Sequence, residues 1–273
     1  MDSRRDRDGR TDPPRAFCYV TTHQHSRAIL GAMSQGAGAP MVGPGALQPF
    51  GDVIVYGRLR GCDRIIREAD QAGRDWLYID RGYLRASRDT DYSGYFRATW
   101  NHLQGDGTGA PNFVRLRALG VTIRPWRADG HHILVCPPGD VYAGLSGFDA
   151  AAWRDDVCAK LAQHSDRPVR VREKPRDGAR NAPLAQDLID CWAVVAHSSN
   201  VAVDALMLGV PVFVTDRCGA RRCAETDLSR IESPRLGDDR EAWAATLAAQ
   251  QWTLEEMRSG LAWRELQEQR DAA

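Results

Sequence analysis

Trp192–Thr215 reads WAVVAHSSNVAVDALMLGVPVFVT, and this stretch decides the fold. An apolar run, Trp192–Ala196, is short and bounded, as a strand buried on both faces should be. His197, Ser198, Ser199 and Asn200 then supply small polar residues of the kind that open a helix. Ser199–Leu208 has helical spacing and is stopped by Gly209, and Pro211–Val214 is a second apolar strand. A strand, a helix and another strand within 25 residues make a parallel β-α-β unit. The first turn of such a helix exposes unpaired N–H groups, and the site lies at the carboxyl edge of a parallel strand, where anionic ligands bind.

The same alternation extends outward. Upstream, Ile133–Cys136 (ILVC) and Val169–Glu173 read as strands, Asp149–His164 as an amphipathic helix and Leu184–Asp190 as a short one. In the first half, Ala16–Thr21 (AFCYVT), Asp52–Gly57 (DVIVYG) and Trp76–Asp80 (WLYID) read as strands. Gln24–Gln35 and Cys62–Ala72 read as helices, Gly36–Pro49 as a loop and Asn112–Leu119 as a short helix. Arg81–Gly109 has no regular period. Arg240–Ala249, Thr253–Arg258 and Leu261–Gln269 read as terminal helices. The expected fold class is α/β, two small Rossmann-like doubly wound domains with a C-terminal helical tail. The expected boundaries are a disordered lead-in at 1–15, a first domain at 16–130, a second at 131–237 and the tail at 238–273.

Composition narrows the function classes. The 273 residues are 43% hydrophobic and 26% charged, which excludes wholesale disorder and fibrous repeats. Thirty-six cations balance 36 acids, which argues against a binder driven by net charge alone. The balance is uneven, however. Residues 167–180 (RPVRVREKPRDGAR) carry six cations and two acids, whereas the stretch from Glu225 onward carries eleven acids and six arginines. Only Lys160 and Lys174 are lysines, and arginine suits planar contact with phosphate and carboxylate, although GC-rich coding yields the same bias. The seven cysteines are odd in number, scattered and without a C-x-x-C pair, so reduced, mostly buried thiols in a cytoplasmic protein are expected and a zinc site is not. MDSRRDRDGRTDPPR has no apolar core, unlike a secretory signal, and no stretch is apolar enough to span a bilayer.

The basic strand VRVREKPR ends at the same sheet edge as Trp192–Ala196 and can deliver Arg172, Lys174 and Arg176 toward one anion. The competing structural role is a capped helix beside a solvated basic run. Here the residues resemble a known pattern. SSNVAVDALMLGVPV is similar to the second-domain motif of GT-B-fold glycosyltransferases, including capsule and Kdo-type transferases and the related sugar epimerases. Glu173–Arg176 (EKPR) resembles the basic segment of the preceding strand end. The match covers about 45 residues. It implies a nucleotide-sugar donor, a UDP-sugar, as co-substrate with no bound cofactor. Its diphosphate would lie on His197, Ser198, Ser199 and Asn200 with Arg172, Lys174 and Arg176, and its ribose near Asp204. The first half resembles that family only in its strand–helix alternation.

Sugar transfer to a hydroxyl needs a base and positive charge for the leaving diphosphate. The cations above meet the second need without a metal. For the base, the expected residues are Asp80, which ends the WLYID strand, and His23, which with His25 follows the first strand. An ion pair from Asp80 to Arg81 or Arg85 is the structural alternative. Asp89-Thr90-Asp91 spells the acidic D-x-D of metal-dependent transferases but follows no clear strand. Arg81, Arg85, Arg88 and Arg97 interleave with Tyr83, Tyr92, Tyr95, Phe96 and Trp100, a mixture that tracks nucleic acid or simply covers a half-buried surface. Arg81, Tyr83, Arg97 and Asn101 are the expected acceptor contacts. YIDRGYL, YFRATWN and WTLEEMRSGLAW resemble phage-encoded proteins, which implies a hydroxymethylated pyrimidine in phage DNA as acceptor and the host cytoplasm as location. A surface-polysaccharide glycosyltransferase and a non-catalytic nucleotide-sugar or DNA-binding module are the alternatives. No G-x-G-x-x-G or G-K-[ST] occurs, so dinucleotide oxidoreductase and P-loop kinase readings lose support.

Overall fold

A computed structural model describes residues 14–86, 92–174 and 183–272. The expected disordered lead-in, apart from Pro14 and Arg15, lies outside these residues, as do Arg88, the Asp89–Asp91 triplet and Arg176. The first unit begins with β1 (Ala16–Tyr19), α1 (Gln24–Ala37), β2 (Met41–Val42), β3 (Asp52–Tyr56), α2 (Cys62–Gln71), β4 (Trp76–Arg81) and β5 (Phe96–Trp100). The second unit follows, with α3 (Phe113–Leu119), β6 (His132–Cys136), α4 (Asp140–Leu145), α5 (Ala150–Leu161), β7 (Val169–Val171), α6 (Leu184–Asp187), β8 (Cys191–Ala196), α7 (Val201–Met207), β9 (Val212–Val214), a 3₁₀ turn (Leu228–Arg230) and α8 (Arg240–Ala249). The chain then returns to the first unit with β10 (Gln251–Trp252), α9 (Leu254–Arg258) and α10 (Leu261–Asp271).

The two units share one strand logic. The first sheet runs β10-β5-β4-β3-β1-β2 and the second β7-β6-β8-β9. In each, the opening strand lies between the second and third of its unit, and the first four strands of the unit, β1–β4 or β6–β9, are all parallel. The strand order therefore reverses direction beside β1 in one unit and beside β6 in the other. These are topological switch points, and their carboxyl edges are where open α/β sheets take ligands. The expected pair of Rossmann-like units is present.

Alternation along the strands explains why both faces are covered. Val53, Val55, Trp76 and Tyr78 face Ile65, Ile66 and Ala69 of α2. Their neighbours Ile54, Leu77 and Ile79 join Ile29, Leu30 and Met33 of α1 and Met257, Ala262 and Leu266 of the returning helices. In the second unit, Ile133, Val135, Ala193, Val195 and Phe213 pack on Val157 and Leu161 of α5. The residues between them turn to the opposite face, and α7 packs against β8 and β9.

The boundaries differ from the sequence reading. The chain divides after Leu103 rather than at 130, and residues 250–273 belong to the first unit rather than to a separate tail. Residues 104–130 stay with the second unit because Asn112 N–H donates to the Ala245 carbonyl at 3.0 Å and α3 packs on α8. The return is fixed by β10 pairing antiparallel with β5, and by α9 and α10 packing on α1. A Cβ at Gly36 of α1 would lie 1.9 Å from the Met257 carbonyl oxygen, so this approach needs glycine.

Gly209 ends α7 in the left-handed region (φ 78°), where a Cβ would lie 1.9 Å from the Pro125 carbonyl oxygen. Left-handed strain and overpacking act together there, so Gly209→Ala should cost ~2–4 kcal/mol of stability. Chemical denaturation checks this, and an unchanged midpoint contradicts it.

Candidate functional site

At the switch point of the second unit, three loops reach one carboxyl edge: Pro137–Gly139 after β6, Arg172–Lys174 after β7 and His197–Asn200 after β8. β6 lies between β7 and β8, and the three strands run parallel. The cationic strand tip and the opening of α7 therefore share one edge. Lys174 leans over β6 toward the crevice: a Cβ at Gly139 would lie 2.9 Å from Lys174 Cδ and 3.8 Å from its Nζ. The glycine before α4 lets this side chain lie close over the backbone.

Arg172 does not join it. Its guanidinium pairs with the Asp187 carboxylate of α6. The Asp187 carbonyl in turn accepts from His132 Nε2 at 3.0 Å, at the amino end of β6. Arg172 is thus drawn back along the sheet, away from the carboxyl edge, which leaves Lys174 as the described cation of this strand tip that leans into the crevice.

α7 is shorter at both ends than Ser199–Leu208. Asn200 adopts helical angles and makes no side-chain cap, while Ser199 Oγ accepts from Val201 N–H at 3.3 Å. Ser198 is buried at 8% exposure. Asp204 lies in the first turn of α7 and is partly exposed.

His197 is held on several sides. Trp153 Nε1 donates to Thr215 Oγ1 at 2.9 Å, and Thr215 Oγ1 lies 3.0 Å from His197 Nδ1. The Thr215 hydroxyl, already accepting from Trp153, has its own proton to give to Nδ1. That assignment puts the ring proton on Nε2, 3.3 Å from Asp216 Oδ2. Phe148, Trp153 and Tyr142 surround the ring at centroid distances of 4.9, 5.8 and 6.1 Å. Burial lowers the His197 pKa, with Asp216 opposing. At neutral pH His197 is therefore a fixed, uncharged wall rather than a cation for phosphate. Sequence reading missed Tyr142, Phe148, Trp153, Thr215 and Asp216. The one available signal was Thr215-Asp216 directly after the PVFV strand.

At the switch point of the first unit, His23 and His25 follow β1. His23 caps α1: its Nδ1 accepts from His25 N–H at 3.3 Å, so the neutral ring carries its proton on Nε2 and offers a donor. His25 lies 4.9 Å from the His23 ring and 5.4 Å, edge on, from Tyr92. Its ring nitrogens take no hydrogen bond from the described residues. Burial lowers its pKa below the ordinary 6.5, with the His23 and Arg81 charges adding to the effect. Burial raises the Tyr56 pKa at the end of β3, and the Arg81 charge opposes it. Tyr56 was not read as a site residue from sequence, and Tyr92 only as part of the Arg/aromatic mixture.

Asp80 is otherwise engaged. Its Oδ2 accepts from Arg97 Nη2 at 3.1 Å and from the Tyr78 hydroxyl at 3.2 Å, and its Oδ1 accepts from Arg81 N–H at 2.8 Å. Arg97 and Tyr83 are each 3% exposed, and the guanidinium carbon lies 5.3 Å from the Tyr83 ring centre. Asn101 is at the opposite edge. Its Oδ1 accepts from Trp76 N–H at the amino end of β4, and its Nδ2 donates to Asp75. Of the four expected acceptor contacts, Arg81 alone is both exposed and at the carboxyl edge.

Burial pushes the Cys18, Cys136 and Cys223 thiols up to about 12, so they are protonated and poor nucleophiles. Among the described residues, no group of three His, Cys, Asp or Glu side chains is placed to hold a metal ion. No described helix is long and apolar enough to cross a membrane.

The sequence matches no protein-family model and has no significant match among curated proteins. Two solved structures are similar in fold. One is Thermosulfurimonas dismutans KpsC, beta Kdo 2,4 transferase, at 14% identity with a TM-score of 0.48, over 85% of this chain and 90% of that one. The other, from the same organism, is KpsC, beta Kdo 2,7 transferase, at 13% identity with a TM-score of 0.48, over 92% of this chain and 99% of that one.

Proposed function

We propose that the protein is a glycosyltransferase that moves a sugar from a nucleotide-sugar donor to a carbohydrate hydroxyl. The second unit holds the donor, and the first supplies the acceptor side and the base. The observation that carries this reading is the meeting of Lys174, the Gly139 loop and His197–Asn200 at one switch-point edge. A flexible ammonium beside a glycine approach suits a diphosphate, whose leaving charge must be neutralised as the sugar departs. Phe148 and Tyr142 beside the fixed His197 ring offer faces for a nucleobase. In the first unit, His25 takes the acceptor proton, and His23 orients α1 beneath it.

A carbohydrate acceptor is favoured over a base in DNA because Phe96, Arg97 and Tyr83 of the Arg/aromatic stretch are each at most 3% exposed, which withdraws them from stacking on bases. The test is calorimetric titration with uridine diphosphate and the other nucleoside diphosphates. Lys174→Ala should weaken the preferred one by ~10–100-fold, the worth of one charge-assisted contact. Unchanged affinity would remove the donor site. Incubation with nucleotide sugars and either oligosaccharides or hydroxymethylated DNA, read by mass spectrometry, assigns the acceptor. Sugar gained by the DNA alone would overturn the carbohydrate reading.

A further inference from the structure

The second unit has a cavity of about 540 Å³ at the far end of α7 from Ser199. α3, the extended segment 121–126 and the start of α8 line it as an open concavity. Leu116, Val121 and Ile123 form an apolar patch beside Trp126 and Arg240, and Arg117, Thr122, Asp238 and Glu241 make the rest of the lining polar. Arg240 is 8% exposed. Its Nη1 donates to the Leu206 carbonyl at 2.7 Å, and its guanidinium carbon lies 3.8 Å from the centre of the Trp126 ring. Trp126 is itself fixed by donation from Nε1 to the Gly237 carbonyl at 3.1 Å.

The charge of Arg240 is met by the Trp126 face and the Leu206 carbonyl and, among the described residues, has no carboxylate partner within ion-pairing distance. Buried charges are ordinarily paired. The contrast with Arg97, the other buried arginine of the described core, is direct. Burial opposes the Arg97 charge, yet Asp80 more than restores it and the pKa rises. At Arg240 burial dominates and the pKa falls. Nor does α8 call for a cation, since Arg240 is its first residue and faces the positive end of the helix dipole. The Leu206 carbonyl accounts for one of five N–H donors. With Arg117 and Arg240 against Asp238 and Glu241 the lining is neutral as a whole, so a ligand that carries more than one negative charge is disfavoured. A concavity of this size, with an apolar patch next to a buried guanidinium that has no described carboxylate partner, can seat a small amphipathic molecule.

We propose that this cavity binds an amphipathic monocarboxylate, its carboxylate on Arg240 and its apolar body against Leu116, Val121 and Ile123. The site is separate from the donor edge and independent of the glycosyltransferase reading. Calorimetric titration of the full chain with octanoate, 1-octanol and inorganic phosphate tests it. Octanoate should saturate, and octanol, lacking the charge, should bind at least ~10-fold more weakly. Arg240→Met and the cavity-filling Ile123→Trp should each weaken octanoate by at least ~10-fold. Absence of saturation, equal binding of octanol, or phosphate binding that depends on Arg240 overturns the proposal. Should Arg240→Met fail to fold through loss of its Leu206 contact, Ile123→Trp and the wild-type preference for octanoate over octanol decide.

Discussion

Replacing His25 with alanine should slow sugar transfer by ~10²–10⁴-fold, the range for loss of a general base, while the affinity for nucleoside diphosphate stays unchanged. The split follows from placement: His25 is in the first unit, and the donor loops are in the second. The pH profile is a second readout. Burial, then the His23 and Arg81 charges, hold the His25 pKa below 6.5. A base works in its deprotonated form, so the rate should hold level down to that value and fall only at lower pH. In His25→Ala this acid limb should vanish. A wild-type limb centred above pH 6.5, or transfer surviving in the variant, would assign the proton to another group.

Asp80→Asn should act on stability rather than on the chemical step. Asp80 is the counterion of Arg97, whose side chain is 4% exposed. Stranding a buried guanidinium costs ~3–5 kcal/mol, and since the Asp80 side chain is itself 34% exposed we expect less, ~2–3 kcal/mol. Below its melting transition the variant should keep transfer within about tenfold of wild type, far short of the loss expected for a base. The two roles separate cleanly in one pair of measurements. Near-complete loss of transfer with an unchanged melting temperature would make Asp80 the base and Arg97 its positioning partner.

Most of the parallel strands were legible because burial on both faces leaves a local mark, but β2, two residues long, lies inside the segment 36–49 that reads as a loop. AFCY, DVIVY, WLYID and CWAVVA are apolar runs too short to be helices. β5 was not legible, because FRATW carries Arg97 at a buried position. Its partner Asp80 is 17 residues away in the chain, so the pairing that permits burial leaves no local signal. The return of residues 250–273 to the first unit was hidden for the same reason. Gly36 looks like an ordinary loop glycine until Met257 is placed against it. At the donor edge, the strand ends and small polar residues were readable. The partition of the cations was not, because Arg172 and Lys174 differ only in what lies beside them, Asp187 for one and Gly139 for the other.

Gln251 ties the returning chain to the first unit: its Oε1 accepts from Tyr83 and Leu84 N–H, each at 2.9 Å, and its Nε2 donates to the Leu84 carbonyl at 2.8 Å. During synthesis this amide emerges only after every residue of the second unit. The half of the protein made first is therefore the half finished last, with β5 left as an open edge and α1 uncovered on its outer side until then. Unpaired strand edges and bare apolar helix faces are the features on which nascent chains stick together. The interval between translation of Leu103 and Asp271 is thus the window in which this chain depends most on being shielded from its neighbours.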